Sequence, residues 1–303
     1  MKRLIVAAFF LTSTMLMGQG VLGVGNFIHV VANLDRSIEF YHDGLGLEVT
    51  GAPGPRAFSA NAVVSSLYDA PGAQSRVASF KIPDSPMAIE IVEFQGLNAT
   101  PVRPESFDPG AITLTLPVQN LSDVQSRLYG THLLLGVSAG RGSQVIRDPD
   151  GIFVFLVQPS NGPGSASGSP GVGLSVTVED VVGTAQFYGQ ALGFTGTATK
   201  GSARLKVPGD GFPVAFTNSM YADRKAVHSS IHDPGSGVLR LRVSDFDAAL
   251  NALKRNGATV VSAGGEPVNL GRSRAVIVRD KNNLFVQILE SAPPAAAKGP
   301  ARN

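Results

Sequence analysis

The 303-residue chain contains no cysteine and no tryptophan. Without cysteine there is no disulfide, no thiolate nucleophile, no thiolate metal ligand and no lipid anchor on a cysteine. Charge is sparse as well, at 16% of residues, with 25 Lys and Arg against 23 Asp and Glu; setting Lys2 and Arg3 aside brings the two signs level. There is no basic block and no basic patch interleaved with aromatics, so nothing in the chain recommends nucleic acid as a partner. The 35 glycines are scattered through turns and form no phosphate-cradling loop. The longest apolar run, residues 4–17, is short of the ~20 residues that span a bilayer. It follows Lys2 and Arg3 and precedes Gly18 and Gly20, so residues 1–20 read as a cleavable signal peptide. The expected location is exported, periplasmic or secreted, with no membrane contact once the signal is removed; an uncleaved N-terminal anchor is the alternative.

What the chain has in plenty is internal repetition, which sets the architecture before any single residue does. Residues 33–49, NLDRSIEFYHDGLGLEV, are echoed at 180–195, DVVGTAQFYGQALGFT. In each, Asn33 or Asp180 is placed to cap the first turn of a short helix. Ile38 with Tyr41, and Ala185 with Tyr188, share a helical face. Gly44 and Gly46, or Gly189 and Gly193, offer left-handed geometry to end it. A strand-like run precedes each helix, at 27–32 and 174–178. Residues 114–128 match 239–253 as a strand followed by an Asn120- or Asp245-capped helix, and 147–159 match 279–291 as a charged turn feeding an apolar strand. Strand, helix and further strands thus occur four times.

The order FYxxxLGx after a capped strand, closing with RDPDG and an apolar strand, resembles the vicinal-oxygen-chelate superfamily of glyoxalases, bleomycin- and fosfomycin-resistance proteins and extradiol dioxygenases. The resemblance covers nearly all of residues 24–291. It implies an α+β fold of two tandem domains, each built of paired βαβββ modules whose curved mixed sheets enclose a cavity. The expected bounds are 24–158 and 172–291, with the Gly-, Ser- and Pro-rich linker 159–171 between them and a disordered tail over 292–303. The first copy is longer: Phe40 to Asn120 spans 80 positions where Phe187 to Asp245 spans 58. The excess falls in 52–75, where Ala60–Tyr68 is a short helix by its pattern and either a lid or a surface excursion.

The family also implies a divalent metal held by His, Glu or Gln of the first and last strands of paired modules, acting as a Lewis acid. Counted from the FY pairs, the first-strand His falls on Asn26 and Gly173, the acid on Glu90 and Ala215, the fifth-strand His on Thr113 and Val238, and the closing Glu on Phe155 and Gln287. Only Glu90 is a strong ligand, so no metal cofactor is expected. The candidates for binding a ligand are Asn26, Glu90, Thr113 and Gln287, joined by Arg272 and Arg274, whose alternation on a strand would suit an anionic group. Should a metal (Zn, Ni, Mn or Fe) bind, the fallback set is Glu90, His29 and Gln287. Strand alternation from Asn26 turns His29 to the opposite face, however. His42 reads as solvated and His132 has no recognisable partner. His228 and His232 have i,i+4 spacing but sit beside Pro234 and Gly235 and read as loop. Arg147–Asp148 and Arg279–Asp280 read as structural turns.

Three functions stay open: an exported protein that takes up a small molecule without the usual metal, a metal-dependent lyase, isomerase or dioxygenase with an irregular ligand set, and a non-enzymatic scaffold whose cavity is filled by its own side chains. If an enzyme, it is a glyoxalase-like lyase or extradiol-type dioxygenase. The partner is a small-molecule ligand, and a homodimer is compatible with the repeats.

Overall fold

A computed structural model describes residues 20–51, 56–130, 136–140, 142–159, 171–219, 223–224 and 226–291. The signal-like residues 1–19, almost all of the linker, His132 and the tail lie outside the described residues.

Four modules follow one another. The first holds β1 (Val21–Val31), α1 (Leu34–Ile38) continued by a π-helical turn over Glu39–Gly44, β2 (Glu48–Thr50), β3 (Ser59–Ala60), α2 (Ala62–Leu67), β4 (Gln74–Lys81) and β5 (Ala88–Gln95). The second holds β6 (Ile112–Pro117), α3 (Leu121–Gly130), β7 (Gly136–Gly140), β8 (Ser143–Arg147) and β9 (Phe153–Val157). The third holds β10 (Gly173–Val178), α4 (Val181–Leu192), β11 (Thr195–Ala198), β12 (Ser202–Lys206) and β13 (Pro213–Asn218). The fourth holds β14 (Gly237–Val243), α5 (Phe246–Arg255), β15 (Thr259–Val260), β16 (Val268–Asn269), β17 (Arg274–Arg279) and β18 (Phe285–Glu290).

The repeat helices start as their sequences dictate. Asn33, Asn120, Asp180 and Asp245 each accept a hydrogen bond from a backbone N–H two or three residues on. They do not all stop as expected. Gly46 and Gly193 take positive φ, at +79° and +73°, whereas Gly44 and Gly189 do not. At Gly44 a Cβ would come within 2.3 Å of Leu128 Cδ2, so any larger residue there would need that side chain to turn aside.

The strands form two mixed sheets, and the order of strands settles which modules pair. The first sheet runs β15-β17-β18-β14-β1-β5-β4-β2, joining module one to module four through antiparallel β1 and β14. The second runs β11-β12-β13-β10-β6-β9-β8-β7, joining module two to module three through antiparallel β6 and β10. Each half of the sequence therefore gives one module to each sheet.

Alternation sorts every strand into two faces. Inner-facing Phe27, Ile89, Leu239 and Ile288 of the first sheet share one core with Leu114, Leu174, Val214 and Phe216 of the second. The outer face of the first sheet carries a separate apolar cluster, in which Ile28, Val30, Val92, Val238, Ala275 and Ile277 meet Leu67 and Tyr68 from the end of α2. Pairing in this way buries the face that a lone βαβββ unit would leave wet.

Candidate functional site

The strand order β18-β14-β1-β5 lays four polar outer-face positions side by side. In β5, Glu90 lies between the inward-facing core residues Ile89 and Ile91 and so turns outward. In β14, Arg240 stands between inward Leu239 and Leu241, and its Cα is the register partner of Gln287 in β18. In β1, Asn26 stands two residues before Ile28, the partner of Glu90.

These four side chains close on one another. Arg240 donates from Nη1 and Nη2 to Oε2 and Oε1 of Glu90, both at 3.0 Å, a two-pronged match of fork to carboxylate. Its Nε donates to Gln287 Oε1 at 2.6 Å, and Asn26 Nδ2 donates to Glu90 Oε2 at 2.7 Å. The guanidinium thus sits where Asn26, Glu90 and Gln287 converge. Gln287 is buried, while the Arg240 and Glu90 side chains keep 18% and 19% exposure, so the pair is reached from solvent along one side. Gly25 makes room for it: a Cβ at that position would lie 3.0 Å from Cγ and Cδ of Arg240.

The long insertion of the first copy covers the apolar end of this face. Asn61 caps α2, and Leu67 O accepts from Ser262 Oγ at 3.1 Å, tying the helix to the fourth module. Tyr68 is buried against Phe94, with ring centroids 5.2 Å apart. Its hydroxyl has no hydrogen-bond partner among the described residues. Burial, then the charge of Glu90, push the phenol well above its ordinary range, with Arg240 opposing, so Tyr68 is neutral and a donor in want of an acceptor.

The remaining sequence candidates go elsewhere. Thr113 is on the outer face of the second sheet, opposite Ser175 of β10. Arg274 begins β17 and points inward, in register with Val276 and Val278, where it pairs with Asp247 and Glu290 and stacks 4.6 Å from the Phe246 ring. Arg272 is exposed in the turn before that strand, so the two arginines do not share a strand face. His29 faces inward, away from Glu90 and Gln287, and the trio does not assemble. His42 sits at the partly exposed end of the first helix, its Nδ1 2.7 Å from Leu47 O. The segment around His228 and His232 is non-helical, and His232 Nδ1 lies 3.3 Å from Tyr68 O.

The second sheet carries the corresponding outer face in a different state. Where the first has Asn26, Glu90, Arg240 and Gln287, the second has Gly173, Ala215, Thr115 and Phe155. Thr113, Thr115, Ser175 and Ala215 are partly exposed, with Arg204 of β12 exposed beside Ala215. Small side chains and three hydroxyls lie between an aromatic ring on one flank and a cation on the other.

On the inner side, His29 Nε2 lies 2.9 Å from Asp148 Oδ2, and Nδ1 lies 3.2 Å from Ser236 O. Burial lowers the imidazole pKa, yet the charge and hydrogen bond of Asp148 more than reverse this, and the net effect is upward. Burial likewise works to raise Asp148, but His29 and the donors around it hold it below the usual carboxylate range. The result is a buried ion pair inside the scaffold, remote in orientation from the outer faces. The apolar gap between the sheets, bounded by Phe27, Ile112, Leu174, Val214, Phe216 and Leu239, measures about 20 Å³, room for no more than about one water.

Arg240 and Tyr68 are the site residues that reading the sequence missed. Arg240 had a signal: LRLRV alternates two arginines with apolar residues, which commits both to one face of a strand. Tyr68 had none beyond its place at the end of the inserted helix.

Residues 172–288 match the family model of the Glyoxalase/Bleomycin resistance protein/Dioxygenase superfamily. No curated protein matches the sequence. Among solved structures, a putative dioxygenase from Bacillus subtilis is similar at a TM-score of 0.59 and 17% identity, covering 91% of this chain and 87% of its own. Glyoxalase I from Zea mays is similar at a TM-score of 0.57 and 14% identity, covering 88% and 92%. Residues 172–288 thus carry a domain of the Glyoxalase/Bleomycin resistance protein/Dioxygenase superfamily by its family model, and the chain shares the fold of these solved structures over most of its length.

Proposed function

We propose that this chain is a metal-independent binder of a small molecule. The observation that carries the reading is the guanidinium of Arg240 at the meeting point of Asn26, Glu90 and Gln287. A divalent ion needs free lone pairs and open positions there. Glu90 instead spends both carboxylate oxygens on Arg240, and Gln287 spends its carbonyl on the same group. These residues do not fit a resident metal, and the metal-dependent lyase or dioxygenase reading would require the arginine to leave.

The ligand belongs on the outer face of the second sheet, where Gly173, Ala215 and Ser175 leave space, Thr113 and Thr115 supply hydroxyls and Phe155 supplies an apolar wall. Few polar anchors on a largely apolar or small-residue surface is the usual composition of such sites. With residues 1–20 as an export signal, the binding takes place outside the cytoplasm.

The test is a thermal-shift screen of small organic ligands on protein treated with a chelator. A ligand at a hundred times its dissociation constant should add about 2.7 kcal/mol. Ala215→Leu, which fills the space, should abolish the shift and leave the fold intact. A shift that appears only when Zn, Ni, Mn or Fe is restored would overturn the proposal.

One observation favours a second reading, a scaffold protein: α2 already fills the apolar end of the first sheet's outer face with Leu67 and Tyr68. It would be supported if no ligand moved the melting temperature while the protein assembled into a defined oligomer by light scattering.

A further inference from the structure

We infer that the Arg240 guanidinium is the resident cation of the first sheet: its charge and donors hold Glu90, backed by Asn26, together with Gln287 as a bound divalent ion would, and removing it exposes a latent cation site. The inference rests on the metal-independent reading above and extends it to what the arrangement would do without the arginine.

Three features carry it. The contact set surrounds a single cationic group: two oxygens of Glu90 lie 3.0 Å from the two terminal nitrogens and one of Gln287 lies 2.6 Å from Nε, with Asn26 holding the carboxylate from behind at 2.7 Å. The three oxygens belong to two residues, Glu90 on β5 and Gln287 on β18, strands that flank β14 and β1, so the sheet holds both side chains on either side of the arginine. Finally, the stem of Arg240 is accommodated by glycine at position 25, which leaves a channel of side-chain size when the stem is shortened. Glu90 left alone at such a half-buried point carries an uncompensated charge, which is the driving force for capturing another cation. An oxygen-rich set binds hard ions weakly, and adding one imidazole shifts preference to Ni and Zn.

The experiment titrates purified full-length protein with NiCl₂ and ZnCl₂, by calorimetry and by metal content after desalting. Wild type should show no saturable binding that depends on Glu90. Arg240→His should bind one equivalent at least tenfold more tightly than wild type, with a raised melting temperature, and adding Glu90→Gln should erase both gains. Exposed histidines elsewhere bind equally in all variants and cancel. Arg240→Ala guards against a misfolded first variant: methylguanidinium or Ni at millimolar concentration should raise its melting temperature, again only with Glu90 intact.

Wild-type binding of one equivalent that Glu90→Gln removes would overturn both this inference and the metal-independent reading. Failure of both Arg240→His and Arg240→Ala to respond to either cation would overturn this inference alone.

Discussion

Tyr41 of the first module donates a 2.9 Å hydrogen bond to Asp148 of the second, and the same bond recurs at 3.0 Å between Tyr188 of the third and Asp280 of the fourth. The two most recognisable repeats in the sequence, FY and RD, are therefore the two ends of one buried contact. The other oxygen of each Asp accepts from its own turn, at Gly151 and Ile152 or at Asn282 and Leu284. Replacing Tyr188 by Phe strands a buried carboxylate oxygen, whereas after Tyr41→Phe the same oxygen of Asp148 keeps His29 Nε2 at 2.9 Å. Tyr188→Phe should cost about 1–3 kcal/mol in urea unfolding, and Tyr41→Phe less. A cost near zero for both would show that these bonds do not hold the modules together.

The His29–Asp148 pair should make stability depend on pH in a defined window. His29 has its folded-state pKa raised above 6.5, so its contribution is complete below 6.5 and fades as pH climbs through the raised value. Asp148 has its folded-state pKa lowered below 3.8, so its contribution is complete above 3.8 and fades as pH falls through the lowered value. Between those limits His29→Gln should cost the most, about 3–5 kcal/mol for an orphaned buried carboxylate. At pH 9 the difference from wild type should shrink. A difference that stays constant from pH 5 to 9 would mean that folding leaves the pKa of His29 unchanged.

Glu90 and Arg240 should be coupled energetically. A double-mutant cycle of Glu90→Gln and Arg240→Met should return an interaction of about 1–3 kcal/mol, because the bonds are charge-assisted and only partly solvated. An interaction below about 0.3 kcal/mol would reduce the pair to an ordinary surface contact.

Tyr68→Phe offers the opposite sign. Its hydroxyl is buried without a partner among the described residues, so deleting it should leave the ligand-free protein unchanged or stabilise it by about 1 kcal/mol. A loss of more than about 1 kcal/mol, read from the melting temperature, would mean that the phenol is hydrogen-bonded in solution.

Gly46 stands at φ +79°, with only Arg127 near a would-be Cβ, at 3.6 Å. Gly46→Val should cost at least about 1–2 kcal/mol through backbone strain rather than collision. Gly46→Asn should recover much of that loss, since Asn tolerates the left-handed region. Equal stability of the Val and Asn variants would remove strain as the cause.

Much of this architecture could be read from the chain because it depends on local, repeated signals. The caps at Asn33, Asn120, Asp180 and Asp245 announce the helices, and two-residue alternation in MAIEIVEF puts Glu90 on the outer face of its strand. Counting from FY brought Asn26, Glu90 and Gln287 to one spot because the pairings of β1 with β5 and of β14 with β18 run without a register shift. What was hidden is of a different kind. Whether module one meets module two or module four is decided by which apolar faces complement each other across hundreds of residues, and no short motif encodes that. Arg272 and Arg274 looked like neighbours on a strand, but the strand begins at Arg274, and its inward parity hands that side chain to Asp247 and Glu290. Arg240 escaped notice because a family template asks for ligands and is silent about a residue that takes the place of what they would bind.

The pairing of modules has a further consequence for how the molecule comes into being. Leu114 pairs with Leu174 of the next module in the chain, whereas Phe27 pairs with Leu239, three modules on. Until β14 is in place, β1 has a bare edge of the kind that pairs with any available strand. A chain interrupted after residue 219 would hold the strands of one finished sheet and half of the other.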